Sequence, residues 1–490
     1  MSNLRKILLN NIPTQLLVLL IVSTWVIISQ HGEINRDGVL YLSEAQLVLN
    51  QDWQQVLSLS RWPFFGILIA FFHQLTGITL LYTAHLINLL MFLLANFFFF
   101  KTIKLLSHNK TPVIYGTLTI LTAIPLMDDY LEMVLRDHGL WAGFMMGAYW
   151  FLRFIREPNW KSGVLWQFGF TFGFLFRPEA AAFIVLLPIF VLYIFFHNQP
   201  WLRLCQSIIF TISVVVLMLL VISFSSLDMF SIFSLRMDDI FKRPIIFLDQ
   251  LFRPLPITSN NSYLNHLLHD FAFIFKFTFL LLVATYKWIA GLGLFHFILA
   301  SITLYRVSLD RLHLKALITL FAISLTVVLV NLFVVYVLTS RYYLMNWWLV
   351  YILAAIGLHK LITYWSSLKS NHLLIRQACL ISLIIIYFLN VIIDKSSISP
   401  EKQAAQWLQQ QSLDLSQVYI NDSRTAFYAR NMLTIADHNN TLKNHYFPFL
   451  LIRYNDTKGR IKKLPGYEAK QYFPSIEKPR LIFYIKTKYD

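Results

Sequence analysis

"IPTQLLVLLIVSTWVIIS" (Ile12–Ser29), followed by "QHGEINRDGVLYLSEAQLVLNQDW" (Gln30–Trp53), decides how this chain is read. The first run carries no charge and is close to the length that crosses a hydrocarbon core of roughly 30 Å. The second holds four carboxylates, Glu33, Asp37, Glu44 and Asp52. Arg5 and Lys6 ahead of the apolar run give it the look of a signal peptide. No small-residue cleavage site of the A-x-A kind follows, so the run reads as a retained first helix.

Composition extends this reading to the whole chain. Of 490 residues, 57% are hydrophobic and 13% charged, with a net charge of +16, and the mean hydropathy is +0.58. Repeated apolar runs of near-spanning length predict a polytopic helical membrane protein, because lipid leaves every backbone polar group to be satisfied within the segment itself. Cys205 and Cys379 both sit in apolar runs and make neither a disulfide framework nor a zinc site. The positive charge comes without a nucleic-acid-binding motif, so nucleic acid is not an expected partner.

Hydropathy places eleven spans, at 12–30, 80–100, 112–127, 138–155, 161–176, 179–197, 204–224, 283–305, 314–338, 343–363 and 373–393. "FFGILIAFFHQL" after Pro63 is too short to span and reads as an interfacial or re-entrant helix. With the N-terminus inside, the interior segments hold 15 Lys and Arg against two acids, Glu157 and Asp310. The exterior segments up to residue 394 hold 11 cations and 15 acids. This is the positive-inside asymmetry. The fold class is therefore an all-α polytopic membrane domain, residues 1–394, with an exterior loop 31–79 carrying juxtamembrane helices. From 395 to 490 the apolar runs stop. "EKQAAQWLQQQ" has helical spacing, and "QVYIND" and "RLIFYIKTK" read as strands, giving a small exterior α/β domain. The long segment 225–270 reads as a lid.

Three exterior clusters offer chemistry. In a helix over 37–50, Asp37, Tyr41 and Glu44 share one face, with Asp37 in the first turn where the helix dipole favours it. Such a carboxylate serves as a general base for an incoming hydroxyl or amine, or is a solvated loop acid. "MDDYLEMVLRDHGLW" packs Asp128, Asp129, Glu132, Arg136, Asp137 and His138 together. Asp128, Asp129, Asp137 and His138 suit a divalent cation, and an Arg136–Asp137 pair capping the next span is the plain alternative. "FLFRPEAAAF" and "LTSRYYLMNWW" put Arg177, Glu179 and Arg341 at exterior helix ends, where the arginines either bind a lipid phosphate or snorkel.

"INRDGVLYLSEAQLVLNQDW", "RWPFFGILIAFFHQLTG", "VLRDHGLWAGFMMGAYWFLRF", "FLFRPEAAAF" and "SRYYLMNWW" together resemble GT-C-type integral membrane glycosyltransferases. The likeness is to the family 39, protein-mannosyltransferase and aminoarabinose-transferase type, over roughly residues 1–395. The resemblance implies a sugar donor on a polyprenyl or dolichyl phosphate, Asp37 as the catalytic residue, and a second acidic motif at Asp128–Asp137. It further implies substrate contacts at Tyr41, Glu44, Arg61, Asp128, Asp129, Arg136, Asp137, His138, Arg177, Glu179 and Arg341. No particular cofactor is implied, and the acid–His set leaves room for a divalent cation. Two departures stand. Asp37 is followed by Gly38 where the family often has Glu, and Arg61-Trp62-Pro63 stands where the aminoarabinose enzymes carry Lys-Pro-Pro.

The expectation is an inverting transfer of a sugar from a lipid-linked donor to a glycan, lipid or protein acceptor. It takes place at the outer face of a bacterial cytoplasmic membrane, with the C-terminal domain periplasmic and choosing the acceptor. A transporter or flippase of lipid-linked saccharides, and a polysaccharide polymerase or ligase, are the alternatives. A transporter would place ionisable groups at mid-membrane on broken helices.

Overall fold

The structure is a computed structural model. It describes residues 9–29, 33–60, 62–224, 270–307, 309–335, 339–367, 398–411, 413–414, 418–430, 449–453, 467–475 and 480–486, with a few single positions between them. Arg61, the apolar run 373–393 and nearly all of the segment 225–270 lie outside the described residues.

The order of helices begins α1 (Ile12–Ser29), α2 (Arg36–Leu49), α3 (Trp53–Leu59), α4 (Phe64–Thr76), α5 (Leu80–Leu106) and α6 (Val113–Leu121). After a π-helical turn at Pro125–Tyr130 come α7 (Asp137–Arg156), α8 (Trp160–Phe176), α9 (Ala181–Ile194) and α10 (Pro200–Phe224). Then follow α11 (Ala272–Leu292), α12 (Leu294–Arg306), α13 (Arg311–Val335) and α14 (Leu344–Ser367). Among the described residues six helices are long and apolar enough to cross a membrane: Ile12–Ser29, Leu80–Leu106, Pro200–Leu217, Ala272–Leu292, Arg311–Leu332 and Ser340–Ser367. They mark a membrane protein, as the hydropathy predicted.

Eleven continuous spans are not confirmed: the run 373–393 lies outside the described residues, and several other runs are shorter or interrupted. The run 112–127 is cut after Leu121, and the nine residues of α6 rise only roughly 13 Å. The Thr122 hydroxyl bonds back to the carbonyls of Leu118 and Thr119 at 2.9 and 3.1 Å, closing the helix ahead of Pro125. The run 283–305 is broken at Gly293, whose φ of 78° is a conformation that a side chain would strain. The apolar helix there starts earlier, at Ala272. The runs at 161–176 and 179–197 form helices of 17 and 14 residues. The run at 138–155 forms α7, whose glycines, His138 and Arg153 dilute its hydropathy. It is buried along nearly its whole length, so protein rather than lipid sets what it must be.

Glycine brings α7 and α8 together. Gly139, Gly143 and Gly147 recur every fourth residue on one, Gly169 and Gly173 on the other. A Cβ on Gly143 would stand 2.4 Å from the Gly173 nitrogen, and one on Gly169 2.4 Å from the Gly147 nitrogen. Backbones this close are the small-residue mode of membrane helix association. Phe144, Phe170 and Phe183 pack beside the crossing, the last two stacked at 4.9 Å.

Compact packing divides the chain into two units. One comprises 1–20, 91–127 and 137–388; the other 21–90, 128–136 and 389–490. The division falls within α1 and α5. The second unit thus groups the loop helices with the C-terminal residues. These form α15 (Pro400–Gln410), β1 (Val418–Ile420), α16 (Ser423–Arg430), β2 (Phe449–Arg453), β3 (Tyr467–Phe473) and β4 (Leu481–Lys486); α15, β1 and β4 were predicted from the sequence, and α16, β2 and β3 were not. The sheet runs β1-β2-β4-β3, parallel at β1/β2 and antiparallel elsewhere. Ala404, Ala405 and Leu408 of α15 and Ala426 and Ala429 of α16 bury one face of it, against Val418, Ile420, Leu451 and Phe483.

Gly143→Ala should cost roughly 1–3 kcal/mol by overpacking two backbones that have nowhere to move. Gly163→Ala is a second crowded site for comparison, since a Cβ there would stand 2.4 Å from the Gln206 carbonyl oxygen. Thermal midpoints in detergent should fall for both; an unchanged midpoint for Gly143→Ala would show that the crossing tolerates a methyl group.

Candidate functional site

The second unit assembles a polar site around the start of α2. Asn35 takes the N-cap position in an extended conformation and makes no side-chain cap bond. Its amide pairs instead with Val134: Nδ2 donates to the Val134 carbonyl at 3.2 Å, and the Val134 N–H donates to Oδ1 at 2.9 Å. The neighbours of Asn35 are tied elsewhere. Glu33 accepts from the Ser399 N–H and hydroxyl at 3.0 and 2.7 Å and from the Tyr428 hydroxyl at 3.0 Å. The Ile34 N–H donates to Tyr428 Oη at 2.6 Å, and Arg36 reaches the buried Asp422 at 3.4 Å. Burial, with the Glu33 charge beside it, pushes the Tyr428 phenol well up, so it keeps its proton to donate. Asp37 follows directly, half-buried in the first turn of α2, as the spacing predicted. Arg36, at its side in sequence, spends its guanidinium on Asp422.

Gly38 has a local reason. A Cβ there would lie within 3.0 Å of Asn35 Oδ1, Ile34 Cγ1 and Val134 Cβ, so no larger residue fits beside the 128–136 segment.

Tyr41 and Glu44 occupy the same face of α2 as Asp37, and both are buried. They meet α4, where Tyr41 packs edge-on against Phe65 at 5.2 Å. Gly66 leaves room for Glu44, since a Cβ at 66 would be 2.8 Å from its Oε2. The Arg136 guanidinium lies over the Tyr41 ring at 6.0 Å. Both Glu44 oxygens lack a hydrogen-bond partner among the described residues. Burial raises its pKa to about 7; nearby Ser60, which makes no bond of normal geometry to it, and the Arg136 charge only temper the rise. Glu44 is thus a carboxyl that burial keeps protonated below neutrality.

The first unit holds a separate charged cluster. Arg177, 5% exposed, donates from Nη1 to Asp137 and from Nη2 and Nε to Glu179 at 2.5 and 3.2 Å. Asp137 opens α7, and Glu179 sits in the 3-10 turn Pro178–Ala180. The Tyr342 ring lies 4.9 Å from Arg177 and 5.6 Å from Arg341. These residues, with Leu140, Val327 and Met345, line a cavity of about 10 Å³, room for about one water.

Asp137 pairs with Arg177, and the Arg136 guanidinium lies over Tyr41 with its charge acting on Glu44. His138 is buried with its ring against Trp141 at 4.8 Å. Asp128 is half-buried and Asp129 exposed on the π-helical turn. Among the described residues no group of three or more His, Cys, Asp or Glu is placed to hold a metal ion. Sequence reasoning missed Glu33, Ser399, Asp422 and Tyr428. Asp422 and Tyr428 stand out only as polar and aromatic residues in "YINDSRTAFYARN".

No protein-family model matches the chain, and no curated protein matches it significantly. What can be said of function rests on the geometry: a helical membrane protein with an anchored acidic helix in one unit and a caged arginine in the other.

The Glu44 environment sets a pH dependence. Its folded pKa of about 7 lies above the ordinary 4.5, so between these values the folded state binds the extra proton. Stability from this group is complete below pH 4.5 and lost as pH rises to about 7, on the order of 3 kcal/mol. Glu44→Gln should flatten the thermal midpoint across that window and exceed the wild type at about pH 8. A variant that keeps the wild-type slope would locate the titration elsewhere.

Proposed function

We propose that the protein is a GT-C-type membrane glycosyltransferase. It would move a sugar from a polyprenyl-phosphate donor to a glycan, lipid or protein acceptor at the outer face of the cytoplasmic membrane. The observation that carries this is Asp37: a half-buried carboxylate in the first turn of a loop helix, with the four residues before it each anchored. A base for an acceptor hydroxyl must be reachable yet fixed in direction. Asp37 takes the acceptor's proton as the acceptor oxygen attacks the anomeric carbon. The bond from that carbon to the phosphate oxygen breaks with its electron pair leaving on the polyprenyl phosphate, and configuration inverts.

The departing phosphate needs a cation. Arg341 and Arg177 are the arginines the resemblance offers for it, and Arg177 is already held by two carboxylates. Tyr41 and Glu44 share the face of α2 with Asp37, and Arg136 lies over the Tyr41 ring. In this reading eleven crossings place the N-terminus inside and residues 395–490 outside, and the 15-to-2 interior charge split supports it. The flippase alternative draws on the buried Arg177, but that charge is caged at helix ends rather than set on a spanning segment.

The test is purified protein with a panel of undecaprenyl-phosphate hexoses and pentoses, with released undecaprenyl phosphate read by mass spectrometry. Asp37→Asn should cut turnover by roughly 10²–10⁴-fold and leave donor binding intact. Glu44→Gln should cost far less. Arg341→Gln should slow turnover where Arg341→Lys recovers part. Near-normal turnover in folded Asp37→Asn removes the catalytic assignment, and lipid-linked sugar crossing vesicles without cleavage would favour the flippase.

A further inference from the structure

We propose that residues 398–430 hold the start of α2, and with it Asp37, by gripping residues 33–36 with the N-termini of two helices. Only the catalytic consequence rests on the function proposed above; the grip itself rests on geometry within the second unit.

Ser399 is the N-cap of α15, its hydroxyl accepting from the Lys402 N–H at 3.3 Å while donating to Glu33. Its backbone N–H points to the same carboxylate. Glu33 therefore sits where the positive end of the α15 dipole and a free backbone donor favour an anion. Asp422 precedes α16 in the same role, accepting from the Thr425 N–H and hydroxyl at 3.1 and 3.2 Å through Oδ1 while Oδ2 faces Arg36. Between these two caps stands Tyr428, which donates to Glu33 and accepts from the Ile34 N–H. The two caps are themselves linked, because Arg424 of α16 bonds to Glu401 in the first turn of α15.

The arrangement does more than fill hydrogen bonds. Each of the four residues before Asp37 is bonded: Glu33 to Ser399 and Tyr428, Ile34 to Tyr428, Asn35 to Val134 and Arg36 to Asp422. A loop leading into a catalytic helix would otherwise fray, since helix starts leave their first N–H groups unpaired. Three of the four anchors come from residues more than 360 positions away in the chain. Residues 395–490 were expected only to choose the acceptor; here part of them positions the base.

The full-length protein tests this with Glu33→Ala, Glu33→Gln, Tyr428→Phe and the Glu33→Ala/Tyr428→Phe double variant. Hydrogen exchange over residues 33–40 should rise about tenfold in Glu33→Ala and Tyr428→Phe. The double variant should exceed either single one, since Tyr428→Phe leaves the Ser399 bonds to Glu33 and Glu33→Ala leaves the Ile34 bond to Tyr428. Glu33→Gln keeps a carbonyl acceptor and should recover part. With the undecaprenyl-phosphate sugar that turns over, Glu33→Ala should lower kcat about tenfold at unchanged donor KM. Unchanged exchange in folded variants overturns the grip, and raised exchange with unchanged kcat overturns its positioning role. If no donor of the panel turns over in the wild type, the function proposed above falls while exchange still decides whether the grip holds this segment.

Discussion

The Glu33 carboxylate is the contact on which the second unit turns. It accepts from a backbone N–H, a serine hydroxyl and a tyrosine hydroxyl, and all three donors come from the far end of the chain. Charge-assisted bonds to an anion at a helix N-terminus are stronger than neutral ones. Together with the Ile34 N–H bond to Tyr428, they join residues 33 and 34 to α15 and α16. Without them the start of α2 would keep the Asn35–Val134 bonds and its packing on α4, and residues 33 and 34 would lose their anchors.

Two buried charges show two ways of meeting the same cost. Taking an ion out of water is expensive unless it is paired or neutralised. A guanidinium cannot lose its proton, so Arg177 must bring carboxylates, and Asp137 and Glu179 supply them from two different turns. A carboxyl has the other way out. Glu44 has no such bonded partner and burial raises its pKa to about 7. The cage around Arg177 is therefore a rigid joint among helix ends, whereas Glu44 changes charge within reach of ordinary conditions. As it ionises it gains attraction to Arg136, the same guanidinium that covers Tyr41.

The apolar runs, the loop helix with Asp37 in its first turn, the short helix at Phe64–Thr76 and, in the C-terminal residues, α15, β1 and β4 were legible in the sequence. Each is written in local periodicity. The breaks at Thr122 and Gly293 were not, because average hydropathy is blind to one glycine at positive φ or one hydroxyl bonding backward. The glycine repeat at Gly139, Gly143 and Gly147 was visible as spacing, but its meaning lies in Gly169 and Gly173 on the partner helix. The site was half legible. Asp37, Tyr41 and Glu44 follow from helical geometry. Glu33 does not, since its partners Ser399 and Tyr428 lie 366 and 395 residues on, and no local pattern joins them.

Gly38 and Gly66 complete the picture of α2 as a helix packed from two sides. Glycine within a helix costs up to about 1 kcal/mol relative to alanine, so its presence needs a reason. At 66 the reason is the Glu44 side chain, and at 38 it is Val134 and the Asn35 amide. The resembled family often carries a second acid at the position after its catalytic Asp. Here the 128–136 segment lies so close that only glycine fits, and a carboxylate at 38 would have to displace it. The buried acid of this helix is instead Glu44, two turns further on and protected by α4. The chain thus keeps a single reachable carboxylate on this face at Asp37, with its second acid moved into the protein, where it titrates near neutrality.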